Sequence, residues 1–140
     1  MRLPPDFSST RSKLASPSRP PGGAASTSQG RSYGIFQKAI QRRNVVAAVA
    51  AARELPQVSL LDALELTMLI ARKDARRYPR VAARWLRRLL EEQPDLTIEE
   101  AALAASCLVA LPGAGYREAA QTLKAMAETA TSRRRARGVA

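Results

Sequence analysis

Between Arg72 and Arg88 stand Arg72, Lys73, Arg76, Arg77, Arg80, Arg84, Arg87 and Arg88, faced by a single acid, Asp74. Arg76, Arg80, Arg84 and Arg88 recur every four residues, so on a continuous helix they form a slowly drifting column. Pro79 can divide that column, leaving Arg76 and Arg77 in the preceding turn. A guanidinium is a fixed fork of donors that fits phosphate oxygens, and a row of such forks with few anionic partners repels itself until a polyanion screens it. A second run, Arg133, Arg134, Arg135 and Arg137, closes the chain. Tails of this kind add non-specific phosphate contacts. The candidate nucleic-acid-binding set is therefore Arg76, Arg80, Arg84, Arg87, Arg88, Arg133, Arg134 and Arg135, and the partner it fits is DNA or RNA backbone. Tyr33, Phe36, Tyr78 and Tyr116 are too scattered to make a base-stacking platform. No pattern suggests base readout, so the expected binding is weakly selective. The plainer reading is the solvated face of an amphipathic helix. Glu91 and Glu92 lie four residues after Arg87 and Arg88, the spacing of helical ion pairs.

Other chemistry finds little support. The chain has no histidine, which removes the usual general base and most zinc geometries. Its one cysteine, Cys107, lies between Ser106 and Leu108 inside an apolar run, the setting of a small core residue and not of an activated thiolate. The carboxylates come mainly as neighbours, Glu91-Glu92 and Glu99-Glu100. Adjacent residues on a helix point about 100° apart and do not converge on one substrate atom. The stretch Pro112 to Gly115 lacks the glycine spacing and the lysine of a phosphate-binding loop. Nothing here indicates an enzyme, a cofactor, a metal or a small-molecule substrate.

The elements that must carry the arginines are helical. Hydrophobic residues make up 46% of the 140-residue chain but aromatics only 4%, so the apolar mass is mainly Ala, Leu and Val, which suits packed helices. Ile35, Phe36, Ala39 and Ile40 mark a first amphipathic helix from about Tyr33, and Asn44 can cap a second over about 45–55. Ser59 opens a third over about 60–73, apolar around most of its circumference and so expected to be buried between neighbours. Pro79 suits the first turn of a fourth, to about Gln93, with Val81, Ala82, Trp85, Leu86, Leu89 and Leu90 inward. Thr97 and Glu100 make a capping box for a fifth, about 98–111, again apolar on most sides. Pro112, Gly113 and Gly115 form a turn, and a sixth helix follows with Tyr116, Ala120, Leu123 and Ala127 inward. Residues 56–63 match residues 94–101 in type at an offset of 38, which suggests stacked helical hairpins. The fold class predicted is all-α: an antiparallel bundle or short α-solenoid of five to six helices with a disordered N-terminal arm.

Charge and composition divide the chain into three parts. Of the net +11, +4 falls on residues 1–32, +3 on 33–131 and +4 on 132–140. Residues 1–32 are rich in Pro, Ser and Gly and poor in large apolar side chains, and are read as a disordered basic arm. Residues 33–131 are read as the helical domain, and 132–140 as a basic tail without a helical apolar face. Residues 1–10 lack the apolar region of a secretory signal, and no apolar run reaches membrane-spanning length, so a cytoplasmic setting without membrane association is expected.

The segment from Tyr33 to Asn44, the Ala-rich and Leu-rich helices after it, and the segment from Ala71 to Leu86 resemble uncharacterised small helical proteins of GC-rich actinobacteria. The resemblance covers roughly residues 33–130. It implies a bacterial cytoplasmic protein and carries no activity. The hairpin pattern is also faintly similar to the helical collar domains of clamp-loader-type ATPases. Two functions follow as expectations: a nucleic-acid-associated protein holding phosphates through the arginines, or a protein-interaction module whose groove between hairpins receives a partner helix or an acidic segment.

Overall fold

The computed structural model describes residues 21–139, with side chains from Gly30 to Gly138. It contains six helices in order: α1 Pro21–Gln41, α2 Val45–Glu54, α3 Leu60–Lys73, α4 Tyr78–Glu92, α5 Ile98–Ala110 and α6 Tyr116–Val139. No strand occurs among the described residues. No helix of the structure is long and apolar enough to cross a membrane.

Local chemistry sets most of the boundaries. Asn44 accepts a hydrogen bond from the Ala47 amide, Ser59 from Asp62, and Thr97 from Glu100, whose carboxylate returns to the Thr97 amide. Each satisfies a backbone donor that the first helical turn leaves without a partner. Pro79 occupies the first turn of α4, where its missing N–H costs nothing. Arg43 turns α1 into α2 with φ 57°, a left-handed conformation that ends the helix.

Both outer helices run further than their apolar patterns. α1 begins at Pro21, well ahead of Tyr33, and so extends into the segment read as an arm; residues 1–20 of that segment lie outside the described ones. α6 continues through the expected tail to Val139. The reason at that end is polar. Arg133, Arg134 and Arg137 fall on one face of α6, where Arg134 Nη1 lies 3.5 Å from Glu92 and Arg133 3.9 Å from Asp95. Arg137 donates at 2.7 Å to the Glu92 carbonyl in the last turn of α4. Cations at a helix C-terminus satisfy its free carbonyls and its dipole.

The tightest sequential pairs are α1–α2, α3–α4 and α5–α6. These three hairpins stack so that the first packs on α3 and the second on α5 and α6, with no helix packing between the first and third among the described residues. Antiparallel sense follows from the contacts. Trp85 on α4 reaches Leu60 at the start of α3. Lys124 and Glu65 pair at 3.5 Å while the Arg72 guanidinium lies 4.4 Å over the Tyr116 ring, so α6 also runs against α3. α3 is the central helix, with Leu64, Met68, Leu69, Ile70 and Ala71 buried. Cys107 is buried as a free thiol in the same core. Gln93 Oε1 is buried without a protein hydrogen-bond partner among the described residues, beside a cavity of about 130 Å³.

Tyr78 ties α4 to α5. Its buried hydroxyl donates to the Leu108 carbonyl, one of the last-turn acceptors that α5 cannot satisfy itself. Burial pushes the phenol up from 10 to about 12. Between these values the folded chain keeps a proton that the unfolded chain loses, so the stabilisation is full below pH 10 and falls as pH rises through 12. Urea denaturation from pH 9 to 11.5 is expected to show this loss in the parent chain. Tyr78→Phe should cost about 1 kcal/mol at neutral pH and flatten the alkaline decline; an equal decline in the variant would exclude Tyr78 as its source.

Candidate cationic groove

α4 is amphipathic in an asymmetric way. Ala82, Trp85 and Leu89 face the core, and Arg80, Arg84 and Arg87 face outward. The column spaced at four residues drifts by about 40° per step on an α-helix, and that drift decides what each arginine does. Arg80 and Arg84 sit in the middle of the outer face. Arg88 has rotated to the edge of the core, where it is half-buried. Its Nε lies 2.6 Å from Glu92 Oε2, and its Nη2 donates to the Val58 carbonyl in the loop before α3.

The eight candidate arginines therefore do not share one surface. Arg76 is exposed in the turn between α3 and α4. Arg87 pairs with Glu91 at 3.4 Å in solvent, a weak contact at such exposure. Arg88, Arg133 and Arg134 are engaged with Glu92 and Asp95 around the C-terminal end of α4. Arg135 is exposed on α6. The ion pairs that the four-residue spacing suggested for Glu91 and Glu92 are both present. Glu92 goes further, accepting from Arg88 and Arg134 together.

Arg80 and Arg84 belong to a different feature. With Arg53 of α2 and Arg77 they rim a groove of about 480 Å³ between α2 and α4. Its floor is apolar: Val49 and Ala52 of α2, Leu66 and Ile70 of α3, and Val81 of α4. Arg77 is partly neutralised by Asp74 at 3.5 Å. Arg53, Arg80 and Arg84 have no carboxylate partner among the described residues. Among the described residues α2 and α4 both pack on α3 and not on each other, leaving α3 as a shared floor. Arg53 could not be assigned to it from spacing, since the two rims are joined only by the tertiary fold.

No group of three or more His, Cys, Asp or Glu that could hold a metal is found among the described residues. Comparison with protein-family models, curated proteins and solved structures finds no match. The site stands on its own geometry.

Proposed function

We propose that this chain is a non-enzymatic binding module whose α2–α4 groove receives an acidic, amphipathic segment of a partner protein. The observation that carries this reading is the pairing of an apolar floor with unpaired arginines on both rims. A helix laid in such a groove buries its apolar side on Val49, Leu66 and Val81, and presents carboxylates to Arg53, Arg80 and Arg84. Arginine forks match carboxylates in two-pronged geometry, and the apolar floor lowers the local dielectric. A phosphate backbone has no use for that floor.

Contact with nucleic-acid backbone is the second reading. It is supported by Arg76 in the turn before α4 and by Arg80 and Arg84 on the outer face of α4, none of which has a carboxylate partner among the described residues. The two readings differ in how binding responds to salt and to the floor.

Fluorescence-anisotropy titration of the full chain separates them. The probes are a labelled helical peptide with Leu at positions i, i+4 and i+7 flanked by Glu, and a labelled DNA duplex. Peptide binding should weaken about tenfold on Arg80→Ala with Arg84→Ala, weaken comparably on Val81→Ser, and show a shallow salt dependence. Duplex binding with a log–log salt slope of about −3 to −4, indifferent to Val81→Ser, would favour the backbone reading. Failure of both probes at low salt removes the groove as a site for either.

A further inference from the structure

The three hairpins turn at one end of the molecule, where residues 42–44, 74–77 and 111–115 join α1 to α2, α3 to α4 and α5 to α6. Two contacts show that these tips adjoin. Arg43, Arg72 and Tyr116 line one cavity of about 140 Å³, and Tyr78 at the start of α4 reaches Leu108 in the last turn of α5. The tips are strongly cationic. Arg42 and Arg43 stand on the first, Arg72, Lys73, Arg76 and Arg77 on the second, and Arg117 follows the third, all of them exposed. Against these seven stand two acids, Asp74, which lies 3.5 Å from Arg77, and Glu118, on the side towards α5. The tips therefore carry a net +5, whereas the whole of residues 33–131 totals +3, so the rest of that domain is net −2. At the opposite end, Arg133, Arg134 and Arg137 are engaged with Asp95 and Glu92.

We propose that the three hairpin tips form a docking surface for the phosphate backbone of a nucleic-acid duplex. The inference rests on the backbone reading for its partner and moves the contact from the outer face of α4 to the end of the stack. It does not depend on what the groove between α2 and α4 binds. Helix dipoles do not account for the charge. Arg42, Arg43, Arg72 and Lys73 lie at the C-terminal ends of α1 and α3, where cations are favoured, but Arg76, Arg77 and Arg117 lie at the starts of α4 and α6, where the dipole opposes them. Arg43 is also held at φ 57°, a left-handed conformation that glycine takes freely and arginine does not. Glycine would serve that turn better, so the arginine adds a charge at the fold's expense.

Six of the seven cations are arginines, whose fork of donors fits phosphate oxygens. Arg72 is positioned in advance, its guanidinium 4.4 Å over the Tyr116 ring. Neighbouring helices pack up to about 10 Å apart, so three tips span about 20 Å. Along that distance a duplex presents about twelve phosphates. An anionic membrane fits less well, because no Phe, Trp or Leu is exposed on the tips to enter lipid. The uneven charge of the domain also turns the tips towards a polyanion before contact.

Anisotropy titration of the full chain with labelled DNA and RNA duplexes at several salt concentrations tests it. Arg43→Gly with Arg72→Ala should weaken binding of both duplexes about tenfold at low salt and make the log–log salt slope shallower by about two. Arg43→Gly alone should weaken binding without lowering Tm, which separates the contact from any role in the turn. Arg87→Ala with Lys124→Ala removes as many charges from ion pairs elsewhere on the surface and should change the affinity less than about threefold. Equal losses in the two double variants would mean that only net charge matters and would overturn the proposal. A loss confined to Arg80→Ala with Arg84→Ala would overturn it too, returning the backbone to the outer face of α4. So would binding to phosphatidylserine vesicles without binding to either duplex, and so would no binding of any probe at low salt.

Discussion

Trp85→Ala is expected to destabilise the fold by about 3–5 kcal/mol, the largest effect of any single substitution considered for this chain. The indole is 2% exposed and sits where α4 crosses the start of α3. Leu60, Leu64 and Leu89 are buried in the same core cluster. A truncation there removes the largest apolar side chain of the core and leaves a cavity, because helices tied by short turns can close in only partly. The indole Nε1 also donates to the Leu60 carbonyl at 3.0 Å, at the first residue of α3. Trp85→Phe separates the two contributions, since it keeps most of the burial and loses the hydrogen bond, for a cost of about 1–2 kcal/mol. Domains hold only about 5–15 kcal/mol in total, so Trp85→Ala should bring the chain close to unfolding near 37 °C. Urea denaturation followed by circular dichroism checks it. A loss below 1 kcal/mol would mean that the indole is not a central anchor.

Arg88→Ala is expected to cost about 1.5–3 kcal/mol, whereas Arg84→Ala, one turn earlier on the same helix, should stay within about 0.5 kcal/mol. The difference comes from what each guanidinium touches. Arg88 joins the Glu92 carboxylate to the Val58 carbonyl and so pins α4 to the loop that leads into α3. Without it Glu92, itself only 19% exposed, keeps Arg134 at 3.5 Å as its remaining ion-pair partner. The Val58 carbonyl loses a charged donor at the same time. A double-mutant cycle with Glu92→Ala should return a coupling energy of about 1 kcal/mol or more. Equal small losses for Arg84→Ala and Arg88→Ala would show that both are merely solvated. The same pair divides stability from binding: Arg84 belongs to the groove and should affect a ligand there, and Arg88 should not.

What could be read from the sequence was governed by local chemistry. Asn44, Ser59 and the Thr97–Glu100 pair announced three helix starts, and Pro79 a fourth, because a cap or a proline acts within one turn of its own position. The central place of α3 was also legible, since an all-round apolar helix must be covered. The same rule failed at α5, whose apolar circumference suggests equal burial. Its position at the end of the hairpin stack leaves one side without a neighbour. The arginine set suffered from distance in sequence. That Arg134 and Arg137 bind the end of α4 depends on contacts spanning more than forty residues. The groove needs Arg53 and Arg84 on opposite rims. Four-residue spacing revealed that α4 was basic, but only the drift of the column against the core showed which arginines were free.

The order in which the hairpins stack also has a consequence in time. Turns of three to five residues close α1–α2, α3–α4 and α5–α6, so each hairpin can form from contacts between near neighbours along the chain. The packing of α6 on α3 and α4, seen where Lys124 meets Glu65 and Arg134 meets Glu92, joins elements far apart in the chain. During synthesis the first two hairpins are complete while residues 93–139, with α5 and α6, have still to be added. At about 5–20 residues per second, that leaves the α6-facing side of α3 uncovered for roughly two to nine seconds. For that interval the nascent chain exposes an apolar helix, and a chaperone that recognises such surfaces has its opening before α6 arrives.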